Sequence, residues 1–81
     1  METRVLLYSQ PDCRACGSAK EFLARRGVRY KEKNIRGDYQ ALYELIDDLG
    51  SRQTPTLVVG ERVIAGYDPA EYDAALTAVG E

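Results

Sequence analysis

Apolar residues come in short blocks along this chain, and the spacing inside each block switches between strand and helix. Arg4 to Tyr8 is mostly apolar and β-prone. It stops at the turn cluster Ser9-Gln10-Pro11-Asp12, which predicts a buried strand followed by a loop. From Cys13 to Arg26, the residues Ala15, Ala19, Phe22 and Leu23 share one helical face. Gly27 is a stop, and Arg25 and Arg26 suit the negative end of that helix. Val28 to Asn34 alternates weakly and reads as an outer strand, with Lys31 and Lys33 facing water. Asp38 is a candidate N-cap for a helix whose buried stripe is Leu42, Leu45, Ile46 and Leu49, closed by Gly50.

After the polar loop Ser51 to Thr54 and Pro55, the continuous run Thr56-Leu57-Val58-Val59 suits a strand covered on both faces. Gly60-Glu61 has the form of a type II′ hairpin turn, and Arg62 to Ala65 is the returning strand. Asp68-Pro69-Ala70-Glu71 is the clearest helix start. Asp68 can cap, Pro69 suits the first turn, and Glu71 can reach back as in a capping box. Tyr72, Ala75, Leu76 and Val79 form its stripe, and Gly80 ends it. The order is β-α-β-α-β-β-α: a parallel βαβ unit joined through a helix to an antiparallel hairpin. Right-handed crossover places the first strand inside the sheet. The charge runs Arg25-Arg26 and Asp47-Asp48 read as solvated helix faces.

Length and composition narrow this further. Eighty-one residues suit one domain, residues 1–81, with a small core. The net charge of -2 argues against a nucleic-acid surface, which needs a basic excess. Val5-Leu6-Leu7-Tyr8 is too short for a membrane span or a signal core, so the expectation is a soluble cytoplasmic protein. There is no histidine, which removes His-based acid–base chemistry and Cys–His nucleophile pairs.

Cys13-Arg14-Ala15-Cys16 is the chemically loud feature. It lies where a strand, a loop and a helix start meet, and free N–H groups there favour a thiolate. Arg14 adds a positive charge beside Cys13. Cys13 is expected to be the more exposed, attacking thiol, and Cys16, one turn on, the partly buried resolving thiol. Two inert buried cysteines, or half of a metal site, are the alternatives. A metal site normally needs four ligands, and this chain could complete one only as a dimer.

Three segments carry a resemblance. Tyr8-Ser9-Gln10-Pro11-Asp12-Cys13-Arg14-Ala15-Cys16-Gly17-Ser18-Ala19-Lys20 resembles the strand end, active-site loop and first helix of the glutaredoxins. Gln53-Thr54-Pro55-Thr56-Leu57-Val58-Val59-Gly60 resembles their cis-proline loop and third strand, and Ala65-Gly66-Tyr67-Asp68 is similar to their Gly-Gly-x-Asp segment. The chain departs from the usual family pattern at Arg14 and Ala15, at Thr54, and at Gln10, where a basic residue often helps to bind the glutathione carboxylate.

The resemblance implies a thioredoxin-like α/β fold with a four-stranded mixed sheet and three helices. It also implies a thiol-disulfide oxidoreductase with Cys13 and Cys16 catalytic. Gln10, Arg14, Thr54, Pro55, Gly66, Tyr67 and Asp68 would bind substrate, with a cis Thr54–Pro55 peptide facing the cysteines. The partners it implies are disulfide-containing proteins, a ribonucleotide reductase among them. Glutathione, another small thiol or a flavoprotein reductase would be the reductant. No tightly bound cofactor or metal is expected, and the protein is read as a monomer that binds neither nucleic acid nor membrane. An iron–sulfur-carrying dimer is the competing reading, and Cys16 counts against it because such carriers generally have one active-site cysteine.

Overall fold

The computed structural model describes residues 4–81. Its elements are β1 (Val5–Ser9), α1 (Arg14–Arg26), β2 (Lys31–Asn34), α2 (Tyr39–Tyr43, running on as a π-helical turn over Glu44–Asp48), β3 (Thr56–Val59), β4 (Arg62–Ala65) and α3 (Pro69–Ala78). The sheet order is β2-β1-β3-β4. β1 is parallel to β2 and antiparallel to β3, and β3 is antiparallel to β4. The expected β-α-β-α-β-β-α order, the central first strand and the terminal hairpin are all present.

The two faces of the sheet carry separate cores, because successive strand residues point to opposite sides. Val5 and Leu7 of β1 join Leu57, Val59 and Ile64 beneath Ala19 and Leu23 of α1 and Tyr72, Ala75 and Leu76 of α3. Leu6 and Tyr8 face the other way, against Val58, Ala41 and Leu45. β1 and β3 are therefore buried throughout, as the unbroken apolar run in β3 predicts. Gly60 alone in its turn has a positive φ, 61°, as a type II′ hairpin requires.

Several local expectations are corrected. Arg4 is exposed outside β1, and its carbonyl accepts the Gly60 N–H at 2.8 Å. Ala15 is exposed, because the buried stripe of α1 is Cys16, Ala19 and Leu23 and one residue back turns about 100° away. Val28 to Tyr30 is a connection rather than strand. Gly27 ends α1 with φ 67°, and the Val28 N–H returns to the Leu23 carbonyl. In the second helix the sequence predicts a stripe at α spacing, but the Leu49 N–H reaches back five residues to Glu44. That wider winding takes more residues per turn. Ile46 falls off the face and is 36% exposed, while Ala41 and Leu45 fill it. Val79 is the exposed C-cap of α3. The Glu71 carboxylate pairs with Arg62 at 3.0 Å instead of reaching back to Asp68. Arg26 is no solvated charge: it pairs with Asp73 and donates to the Glu81 carbonyl, tying α1 to the end of α3.

Lys33 also departs from the open-water expectation. Its ammonium lies over the Tyr8 ring and reaches Glu44 at 2.6 Å, and the Tyr8 hydroxyl donates to the same carboxylate oxygen at 2.7 Å. The Lys33 hydrogen bond, then that of Tyr8, holds the Glu44 carboxyl below its ordinary value of 4.5. A lowered carboxyl stabilises the fold above the unfolded-state value and loses that contribution as pH falls through the folded value. Glu44→Gln should thus cost about 1 kcal/mol at neutral pH and flatten the acid limb below pH 4.5. Urea midpoints across that range check this. Glu32, lowered by Lys20 and then by Ser9, keeps part of the acid slope in the variant. An unchanged slope would mean that Glu44 contributes nothing to it.

Candidate functional site

Strand register builds the site. In the β1/β3 ladder Tyr8 faces Thr56, and the same pairing carried past both strand ends sets Gln10 opposite Thr54. In the β3/β4 ladder Thr56 faces Ala65, so Pro55 meets Gly66, whose N–H donates to the Pro55 carbonyl at 2.7 Å. Three chain segments thus converge at one end of the central strands, where α1 begins.

The turn into α1 is made by Asp12, the one non-glycine residue with a positive φ, 59°, among the described residues. Aspartate tolerates this region better than most side chains. Arg36, in the loop before α2, lies 3.9 Å from the Asp12 carboxylate. Cys13 follows as the N-cap, with extended backbone (φ -113°, ψ 105°). Its sulfur accepts the Cys16 N–H at 3.1 Å, one of the donors a helix start leaves without an internal partner. Cys13 is half-buried, whereas Cys16 is 2% exposed. The two form a disulfide with Cα atoms 5.2 Å apart. Exposure therefore divides them as expected, with Cys13 reachable and Cys16 covered.

The Thr54–Pro55 peptide is cis, as expected. The Thr54 carbonyl oxygen lies 3.7 Å from the Cys13 sulfur, and the Thr54 hydroxyl donates to that sulfur at 3.6 Å. The Gln10 amide donates to the Thr54 hydroxyl oxygen at 2.8 Å. Pro55 is fully buried.

The remaining predicted site residues divide. Gly66 is held at the site by Pro55, and its carbonyl accepts the Tyr72 hydroxyl at 2.9 Å. Tyr67 is half-buried and meets Phe22 and Tyr72 edge-on, so one side of its ring is core. Asp68 is exposed and caps α3, accepting the Glu71 N–H at 3.1 Å. Arg14 is exposed and makes no ion pair among the described residues. Sequence reasoning missed Ser51 in the supposedly polar loop. It is buried, 2.8 Å from the Thr56 hydroxyl, which also donates to the Gln53 carbonyl and shapes the loop ahead of Pro55. The signal was present in two hydroxyls five residues apart, flanking a proline. Among the described residues no group of three or more Cys, Asp or Glu is placed to hold a metal ion.

Known proteins resemble this chain in sequence and in fold. Residues 5–64 match the family model described as Glutaredoxin. A glutaredoxin of Pseudomonas aeruginosa is 33% identical over 64 residues, which cover 79% of this chain and 76% of the relative. The crystal structure of the thioredoxin-like protein BC3987 superposes with a TM-score of 0.88 at 36% identity, over 90% of this chain and all of that one. The glutaredoxin-like protein NrdH-redoxin from Escherichia coli superposes with a TM-score of 0.79 at 25% identity, over 88% of this chain and 92% of that one. With the fold thioredoxin-like and the match spanning most of its length, the chain belongs to the glutaredoxin family.

Proposed function

We propose that the protein is a dithiol oxidoreductase that reduces disulfides in proteins and mixed disulfides with small thiols. The observation that carries this reading is the asymmetry of the cysteine pair. Cys13 is reachable at a helix start and receives N–H and O–H donors, while Cys16 is covered and within bonding reach of it. The Cys13 thiolate attacks one sulfur of the substrate disulfide, forming a mixed disulfide and expelling the other sulfur as a thiolate. Cys16 then loses its proton and attacks the Cys13 sulfur. The mixed disulfide breaks, the second substrate thiolate leaves, and two electrons have passed to the substrate. The Cys13–Cys16 disulfide is what remains.

Resetting it takes two electrons from glutathione, another small thiol or a flavoprotein reductase, as family membership suggests. NrdH-redoxin from Escherichia coli has a thioredoxin-like activity profile. A thioredoxin-like route of that kind would take its electrons from a flavoprotein reductase, and a ribonucleotide reductase is the protein substrate that the family resemblance suggests. A reducing compartment such as the cytoplasm suits a pair that must cycle. The cluster-carrying alternative gains no support from a site in which Cys13 is closed on Cys16.

The test offers the oxidised protein either glutathione or thioredoxin reductase with NADPH, and follows release of the two thiols and reduction of insulin disulfides. Reduction in at least one arm, coupled to insulin reduction, is the expected result. A disulfide that neither arm opens, or one that opens without passing electrons to insulin, overturns the proposal.

A further inference from the structure

Gln10 stands at a place where the family resemblance implies a contact to substrate, yet its amide is already engaged inside the site. It donates to the Thr54 hydroxyl oxygen at 2.8 Å, and that hydroxyl points to the Cys13 sulfur at 3.6 Å. Both side chains are half-buried. A hydroxyl has one proton to give and two lone pairs to receive. With the Gln10 N–H on a lone pair, the Thr54 proton is left for the sulfur, and donors in series polarise one another.

We infer that Gln10 is a positioning residue that acts through the Thr54 hydroxyl to make the Cys13 thiol more acidic. The inference rests on the reading of Cys13 as the attacking thiolate. In the disulfide the sulfur is a weak acceptor. On reduction it carries a full charge and the bond from Thr54 strengthens, so the chain favours the thiolate over both the thiol and the disulfide.

The other groups around the sulfur are few. The Cys16 N–H is fixed by the helix. Arg14 is next in sequence, and Asp12 is offset by Arg36 from the loop before α2. From the segment packed against the sulfur come Thr54 and Gln53, which are neutral, and the exposed Arg52. Apart from the Thr54 hydroxyl, none of these is hydrogen-bonded to Gln10, so changing Gln10 isolates the hydrogen-bond chain.

The experiment measures alkylation of Cys13 by iodoacetamide against pH in full-length Cys16→Ser protein and reads the midpoint. Thr54→Val should raise it by about one pK unit and Gln10→Ala by about half as much. Gln10→Glu should raise it at least as far as Gln10→Ala, because a carboxylate accepts the Thr54 proton instead of freeing it. Thr54→Ser should restore the parent midpoint. In the Thr54→Val background, Gln10→Ala should add nothing. A midpoint indifferent to Gln10, or a Gln10→Ala effect that persists in full without the Thr54 hydroxyl, overturns the inference. If Thr54→Val fails to fold, the two Gln10 variants decide the matter by themselves. A parent midpoint at or above the free value of about 8.5 would instead strike the reading of Cys13 as thiolate. A low parent midpoint that ignores Gln10 strikes only this inference.

Discussion

Replacing Cys13 with serine is expected to take disulfide exchange down to the uncatalysed background for every substrate, whereas Cys16→Ser should turn the protein into a trap. The two cysteines sit one helical turn apart but in different surroundings. Cys13 caps the helix, half-buried, with the Cys16 N–H at 3.1 Å and the Thr54 hydroxyl at 3.6 Å. Cys16 is 2% exposed and packs beneath. A substrate disulfide can approach only the first. Its thiolate fraction and access set the rate of the opening attack, so no other group replaces it. Without Cys16 the mixed disulfide still forms, but only an external thiol can resolve it. Protein substrates should therefore accumulate as adducts on Cys13, while small mixed disulfides keep turning over when a free thiol is supplied. Mass spectrometry of the intact variants after mixing with an oxidised substrate reads this directly. An adduct on Cys13→Ser rather than on Cys16→Ser would reverse the roles.

Local chemistry explains which parts of this site could be read from the chain alone. Asp68-Pro69, Gly60 and the run Thr56–Val59 each state their structure within a few residues, so the last helix, the hairpin and the buried strand are found where the sequence places them. The Cys13–Cys16 spacing at a helix start is similarly local. What could not be read depends on pairing between distant segments. Gln10 and Thr54 are 44 residues apart, and only the β1/β3 register makes them neighbours. Lys33 looks like a water-facing strand residue until the π-helical turn brings Glu44 across Tyr8. The π-helical turn has no apolar signature of its own. Leu42, Leu45, Ile46 and Leu49 fit an α template, and the five-residue hydrogen bond to Glu44 shifts the phase so that Ala41, a small residue, takes the place against the sheet.

Tyr72→Ala is expected to give the largest loss of stability, about 3–5 kcal/mol, a large share of the roughly 5–15 kcal/mol available to a domain. Among the described residues Tyr72 is the largest fully buried side chain, and it lies in the main core cluster with Leu7, Leu23 and Leu57. Its ring meets Phe22 and Tyr67 edge-on, with centroids 5.7 and 5.4 Å away, so truncation removes aromatic contacts from α1 and from the segment before α3 together. Its hydroxyl donates to the Gly66 carbonyl, and the Gly66 N–H in turn donates to the carbonyl of Pro55, the residue after Thr54. Stability and site geometry therefore share this residue, and the conservative change separates them. Tyr72→Phe keeps the ring but leaves the Gly66 carbonyl without its donor, at about 1–2 kcal/mol. That variant should remain folded at room temperature while the Gly66 segment loosens against Pro55, slowing protein-disulfide reduction more than alkylation of Cys13 by a small reagent. Burial pushes the Tyr72 hydroxyl well above the ordinary phenol value of 10.0. The folded state thus keeps a proton that the unfolded chain gives up, and stability should fall as pH rises past that value in the parent but less steeply in Tyr72→Phe. Chemical denaturation of the three proteins at neutral and alkaline pH measures the stability effects, and insulin reduction set against iodoacetamide alkylation of Tyr72→Phe measures the two rates. A Tyr72→Ala variant within 1 kcal/mol of the parent would show that the core closes over the missing ring.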